Sequence, residues 1–364
     1  MTKFFAVSKP AQPKYQDFVY EPGKGKAFFS PSPYDDSSPN ITLVTTVDKL
    51  RLWYVAPSGE PSPPIEQFEF ATNVTPLLKS HLQKSIRRME MSAAVRTVYT
   101  MCLTSPSDVL RRLPIIAIED VELIPGTSVI VWLMMTVAKR PLTEADLRLV
   151  IGYVESLVNT KTTFGHDRMG PDDAAKLTHE EIVKACSPFP DTSLLDEMLA
   201  LYYRMTYGGM PGDIRMISRA LEMYVDDAKQ TAAAEPSDRR PVRQRSKLPV
   251  SLLAEGVVGL RPYGAADFPE LMVPSATDAD FVMASIDFHC YPWMLKKIAE
   301  KIGLSQARVK QLNWFCDSCV NERKDWTKRR AAQNAKTDDW KAIKPQLEGL
   351  RMFILRKIAD QIYE

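Results

Sequence analysis

The sequence predicts a mainly α protein: a helical bundle or array with a small N-terminal β element and a C-terminal helical domain. Three observations carry this prediction. Apolar residues recur at helical spacing over most of the chain after Thr75. Capping signals and prolines punctuate that pattern every 10–20 residues or so. Alternating β-branched residues are confined to a short stretch before it.

Residues 1–40 are rich in Pro, Ser, Lys and Tyr and read as an extended Pro-rich arm. Their aromatics (Phe4, Phe5, Tyr15, Phe18, Tyr20, Phe28, Phe29) are too many for a pure linker, so the arm is expected to pack on its own body or on a partner. Residues 41–72 hold the β element. ITLVTTVDKLRLWYVA alternates, PSGEPSPP breaks the pattern, and IEQFEF at 65–70 alternates again and is expected to pair with the first run.

Residues 73–229 read as a central helical domain. Thr75-Pro76 opens its first helix as N-cap and first-turn proline. Ser105-Pro106 starts another, which Pro114 is expected to interrupt. The run from Val129 to Val137 is strongly apolar, but its nine residues fall well short of the ~20 that span a bilayer, so it reads as a buried helix or strand. Thr143-Glu-Ala-Asp146 caps one helix, and Thr178-His-Glu-Glu181 opens another as a capping box. Residues 230–249 (QTAAAEPSDRRPVRQRSKLP) read as a basic linker, with Arg239–Lys247 as a candidate import or phosphate-binding run. Residues 250–364 form the basic C-terminal helical domain.

Composition limits the function classes. Hydrophobic residues make up 45% and charged residues 25%, as in an ordinary globular protein. The formal net charge of +2 is uninformative as a whole. Its distribution is not: residues 291–364 hold 16 Lys+Arg against 9 Asp+Glu, and the remainder 31 against 36. A basic C-terminal end suits a polyanionic partner. The five cysteines, odd in number and few for the length, point to a reducing, intracellular setting rather than a disulfide framework. The first residues lack an apolar signal core. The expected location is intracellular, nuclear or nucleoid-associated, with no membrane partner.

No catalytic motif is legible. Pro22-Gly-Lys-Gly-Lys26 lacks the spacing of a phosphate loop, and no dinucleotide-binding, hydrolase-elbow, zincin or kinase signature occurs. The four histidines (His81, His166, His179, His289) lie far apart in sequence, and Glu119-Asp120 read as structural carboxylates. Cys316-x-x-Cys319, with His289-Cys290 upstream, has ligand-like spacing for zinc. Its flanks read as continuous helix, however, which favours small, partly buried thiols. No catalytic residue, metal ligand or cofactor is assigned.

Residues 77–125 contain LLKSHLQKSIRR and SPSDVLRRLPIIAIEDVELIP. Through Lys84, Ser85, Arg87, Arg88, Arg111, Arg112, Leu113, Ala117, Glu119, Asp120 and Leu123, this stretch resembles the helical collar of clamp-loader-related ATPases. The likeness is to the replication-associated recombination ATPases of the Werner-helicase-interacting protein family. It covers about 50 of 364 residues. The family's nucleotide-binding module has no counterpart in these residues, so ATPase activity is not implied. What the resemblance implies is an oligomeric helical scaffold in a replication or repair setting.

Trp293–Leu312 (WMLKKIAEKIGLSQARVKQL) resembles a bacterial-type helix-turn-helix. Ala299 lets the second helix cross closely, Gly303 suits a left-handed turn, and Ser305 caps the second helix. Ile298, Ile302, Leu304, Val309 and Leu312 form the shared interior. The second helix of such a motif enters a major groove, so Gln306, Arg308, Lys310, Gln311 and Asn313 become candidate contacts. Lys296, Lys297, Arg323, Lys324, Lys328, Arg329 and Arg330 become candidate phosphate contacts. Trp293, Trp314, Trp326 and Trp340 read as core. The expected function is a non-catalytic nucleic-acid-associated accessory of replication, repair or transcription. The alternative is an assembly scaffold of a large oligomer or virion, self-associating through the N-terminal arm.

Overall fold

The computed structural model describes residues 15–34, 37, 39–59, 61–70, 73–162, 177–233, 262–263 and 282–363, with side chains as far as 358. It is mainly helical, with one small N-terminal sheet. The basic run at 239–247, Phe4, Phe5 and His166 lie outside the described residues.

The sheet has four strands in the order β2-β1-β4-β3: β1 (Gln16–Glu21), β2 (Lys26–Phe29), β3 (Ile41–Val47) and β4 (Leu50–Val55). β1 pairs antiparallel with β2 and parallel with β4, while β3 pairs antiparallel with β4. This corrects the expected arm, because residues 16–29 are folded into the sheet. Phe18, Tyr20 and Phe29 are buried, and the Phe18 and Phe29 rings stack at 4.1 Å. A buried carboxylate, Asp17, ties the strands by accepting from Arg51, from Trp53 Nε1 and from the Tyr34 amide. Residues 65–70 form no strand. Their amides go instead to helix-flanking carbonyls, Ile65 to Leu142 and Phe68 to Leu103. Alternation there reflects one face lying on helices.

Helices are numbered along the described residues. α1 (Thr75–Arg88), α2 (Met91–Thr104), α3 (Pro106–Asp120), α4 (Thr127–Thr136) and α5 (Glu144–Asn159) form the first group. α6 (His179–Cys186), α7 (Ser193–Thr206) and α8 (Pro211–Ala233) follow. The last are α9 (Trp293–Ile302), α10 (Gln306–Asn313), α11 (Asp325–Asn334) and α12 (Asp338–Tyr363).

Local signals explain many boundaries. Thr143 and Thr178 make complete capping boxes with Asp146 and Glu181. At α1 the cap differs from expectation: Thr75 is the first helical residue, and the Asn73 side chain accepts from its amide. Pro114 does not interrupt α3, which runs through it. A proline inside a helix costs roughly 3 kcal/mol, but residues 113–118 are all buried and hold the helix in place.

α4, the apolar run, is the central helix, with all ten residues buried. Its N-terminus is capped from α7, where the Glu197 carboxylate accepts from the Gly126 and Ser128 amides. The sheet rests on α4 and α7. Trp132 Nε1 donates to the Phe18 carbonyl, and the Phe29 amide donates to Asp196 at 2.8 Å. No helix among the described residues is long and apolar enough to cross a membrane.

The C-terminal helices share the same apolar core, which runs unbroken from Phe18 to Ile358. Buried polar links reinforce the junction. Lys84 pairs with Asp287 at 2.7 Å, and Arg87 donates to the Ser318 carbonyl at 2.8 Å. Asn321 Nδ2 donates to the Asp120 carbonyl.

Candidate nucleic-acid interface

α9 and α10 are joined by a tight turn at Gly303. α9 ends where Gly303 adopts φ 73° and ψ 21°, and the Gly303 and Leu304 amides both donate to the Ala299 carbonyl. Ser305 Oγ then accepts from the Arg308 amide and starts α10. Met294, Ile298, Ala299, Val309 and Leu312 are buried between the two helices and α12.

The outer edge of α10 is open. Gln306, Lys310 and Gln311 are exposed. Arg308 is partly exposed and reaches Asp339 at 2.8 Å and Gln311 Oε1 at 3.0 Å. The Lys310 ammonium sits 5.5 Å from the Phe288 ring centre. Lys296 is exposed, with Glu300 3.8 Å away, and Lys297 lies over Trp293 and Phe353. Arg329 is exposed, and Arg330 covers the Phe315 ring at 4.7 Å. Lys328 is shared between Glu322 and Asp325.

Three candidates are turned inward and are corrected here. Asn313 is only 2% exposed, because α10 continues directly into a π-helical turn (Trp314–Ser318) that packs this face inside. Arg323 is committed to four main-chain carbonyls: Ile86, Leu157, Val158 and Thr160, at 2.6–2.9 Å. Its guanidinium closes the C-terminal ends of α1 and α5, where the helices run short of main-chain donors. Burial pulls its pKa down to about 10, with Asp120 opposing. Lys324 is half-buried and donates to the Glu119 carbonyl at 3.3 Å.

The residues carrying the collar resemblance cluster near this junction. Arg87 is gripped by Asp120 and Glu119, each at 2.6 Å. Burial opposes its charge, but the two carboxylates hold its pKa above the usual arginine value. Arg88 reaches Asp317 at 2.9 Å. Arg111 and Arg112 instead line a cavity of about 610 Å3, with Lys79, Glu119, His289 and Trp314 among the other lining residues. Arg112 donates there to Gln83, and Arg111 lies over the Tyr207 ring at 5.7 Å. Glu119 pairs there with Arg87 and Arg112.

His81 is fully buried between Thr97 and the Val282 amide, and burial followed by Lys84 drops its pKa to about 3. It is a neutral structural side chain. Cys316 and Cys319 sit in and after the π turn, and burial, then Asp317, pushes the Cys316 thiol up to about 11. Among the described residues no three His, Cys, Asp or Glu side chains gather as a metal site.

Trp340 is core as expected, at 8% exposure, but Trp293 and Trp326 stand out at 39% and 41%. Trp293 shares a groove with Phe353 and Lys357, which the sequence reading did not single out. The available signal was the spacing Trp293, Lys296, Lys297, Glu300 along one helical face. No family model, curated protein or solved structure matches the chain.

Proposed function

We propose that the chain is a non-catalytic nucleic-acid-associated protein that presents α10 to a duplex groove and holds the flanking backbone with basic side chains. One observation carries this reading. The inner edge of α10, Val309 and Leu312, is fully buried, while Gln306, Lys310 and Gln311 on the outer edge face solvent. A helix held firmly from behind, with amide and cationic ends outward, has the requirements for groove contact. Arg308 lies on the same helix, held by Asp339 at 2.8 Å. Lys296, Arg329 and Arg330 remain as backbone contacts.

The collar-like stretch adds a replication or repair setting to this reading. The charge asymmetry of the chain supports it in the same direction. The test is binding of a labelled mixed-sequence duplex by the full chain and by a Gln306→Ala, Lys310→Ala, Gln311→Ala variant. The reading expects at least a tenfold loss, and equal affinity would reject it.

A further inference from the structure

The groove between α9 and α12 holds two exposed aromatic rings among lysines. It has a volume of about 660 Å3, and its lining includes Trp293, Lys296, Lys297, Phe353 and Lys357. Trp293 and Phe353 are 39% and 43% exposed, and both lie in this one groove. Large rings left open together mark a contact surface more often than chance exposure does.

The charges are arranged around those rings. Lys297 Nζ lies 5.2 Å from the Trp293 ring centre and 5.7 Å from that of Phe353, and Lys357 Nζ lies 5.3 Å from Phe353. Lys297 and Lys357 pair with no carboxylate among the described residues. Glu300, the one carboxylate among the described lining residues, is 3.8 Å from Lys296, and both are solvent-exposed. The groove is therefore net positive with apolar, π-faced walls. Its volume falls in the range of small-ligand sites, ~300–1,000 Å3.

We propose that this groove binds unpaired bases of a single-stranded nucleic acid, stacked on Trp293 and Phe353 with adjoining phosphates on Lys297 and Lys357. Two features select this occupant. Stacking on an aromatic face needs a base whose own face is free, which a duplex does not offer. Mobile ammonium groups beside the rings suit a phosphate chain that varies in path. The inference shares only the class of partner with the α10 reading, since the groove lies on the opposite partner of the turn, along α9. A chain with both sites would engage duplex and unpaired strand together.

The experiment uses the full chain with dT12, U12 and a blunt 12-base-pair duplex, read by anisotropy, with tryptophan emission followed in parallel. Trp293→Ala and Phe353→Ala should each lower dT12 or U12 affinity roughly 10- to 100-fold while duplex affinity stays within about twofold. Trp293→Phe should restore most of the affinity and remove the emission quenching. That pattern also separates lost stacking from misfolding, which would lower both affinities. Wild-type single-strand affinity in the two alanine variants overturns the proposal. So does quenching by an acidic amphipathic peptide with none by either oligonucleotide. If the groove variants behave as expected but the α10 variant keeps its duplex affinity, this inference stands and the α10 reading falls. If only the α10 variant matters, the reverse holds.

Discussion

Lys84 Nζ lies 2.7 Å from Asp287 Oδ2, and both side chains are sealed from solvent at 5% and 0% exposure. The pair joins α1 to the segment just before α9, so the α9–α10 turn is anchored to the helical body through a buried charge. Burial alone would raise the Asp287 carboxyl, but His289 and Lys84 hold it below the usual carboxylate range. Burial pulls the Lys84 ammonium down while Asp287 pulls it up. Asp287 is held as a carboxylate, since it also accepts from the His289 amide and from Ser318 Oγ.

Breaking this pair leaves one charge buried without its partner. Asp287→Ala or Lys84→Met is expected to cost about 3–5 kcal/mol, and joint replacement by apolar residues much less. A double-mutant cycle in urea reports the difference. Single-variant losses below about 1 kcal/mol would contradict the burial described.

Arg323 offers a second test. As a clamp on four carbonyls, its replacement by Ala or Lys should lower stability by a few kcal/mol, since buried acceptors lose their donors. A phosphate-binding arginine would instead change the salt dependence of nucleic-acid affinity and leave the melting temperature nearly unchanged. Thermal melts and salt titrations on Arg323→Lys separate the two roles.

The pH dependence follows from two buried groups of opposite sign. Burial raises the Asp196 carboxyl to about 7, with the Phe29 amide opposing. Its folded pKa exceeds the unfolded value near 4, so the native state holds the extra proton and stability falls as pH rises from about 4 to 7. The slope is at most about 1.4 kcal/mol per pH unit. His81 is depressed to about 3, so its contribution is present above the unfolded value near 6.5 and is lost as pH falls below it. Asp196→Asn keeps an acceptor for Phe29 and removes the first slope. Urea midpoints for this variant should therefore exceed wild type at pH 8 and converge with it at pH 4.

Gly303 tests the turn. A Cβ there would meet nothing within 4 Å, so any cost comes from the φ of 73° alone. Gly303→Ala is expected to lose about 1–2 kcal/mol, and Gly303→Asn less. No loss would mean that the turn is not left-handed.

These elements show what is legible in sequence and what is not. The caps at Thr143 and Thr178, the Gly303 turn and the Ser305 cap are readable because each is decided within four residues. Strands β1 and β2 are not, because β1 gains its central position by pairing with β4 some 30 residues onward. Pro22 and Gly25 between β1 and β2 read locally as coil, although they form the hairpin connection. Helical spacing placed Arg323 and Asn313 near the basic helices without saying that Arg323 would be drawn onto the ends of α1 and α5, or that the turn after α10 would bury Asn313. The α9–α12 groove needed Trp293 and Phe353 brought together across 60 residues, which no local pattern encodes.

The most direct measurement is the salt dependence of duplex affinity, from about 50 to 200 mM, for wild type and for Lys310→Ala combined with Arg329→Ala. With α10 and its flanking lysines and arginines against the phosphates, the wild-type affinity should fall steeply with salt. The variant's log–log slope should be shallower by close to 0.9 per phosphate contact removed, about 2 in all. A flat wild-type response, or identical slopes for the two proteins, would contradict groove binding by α10.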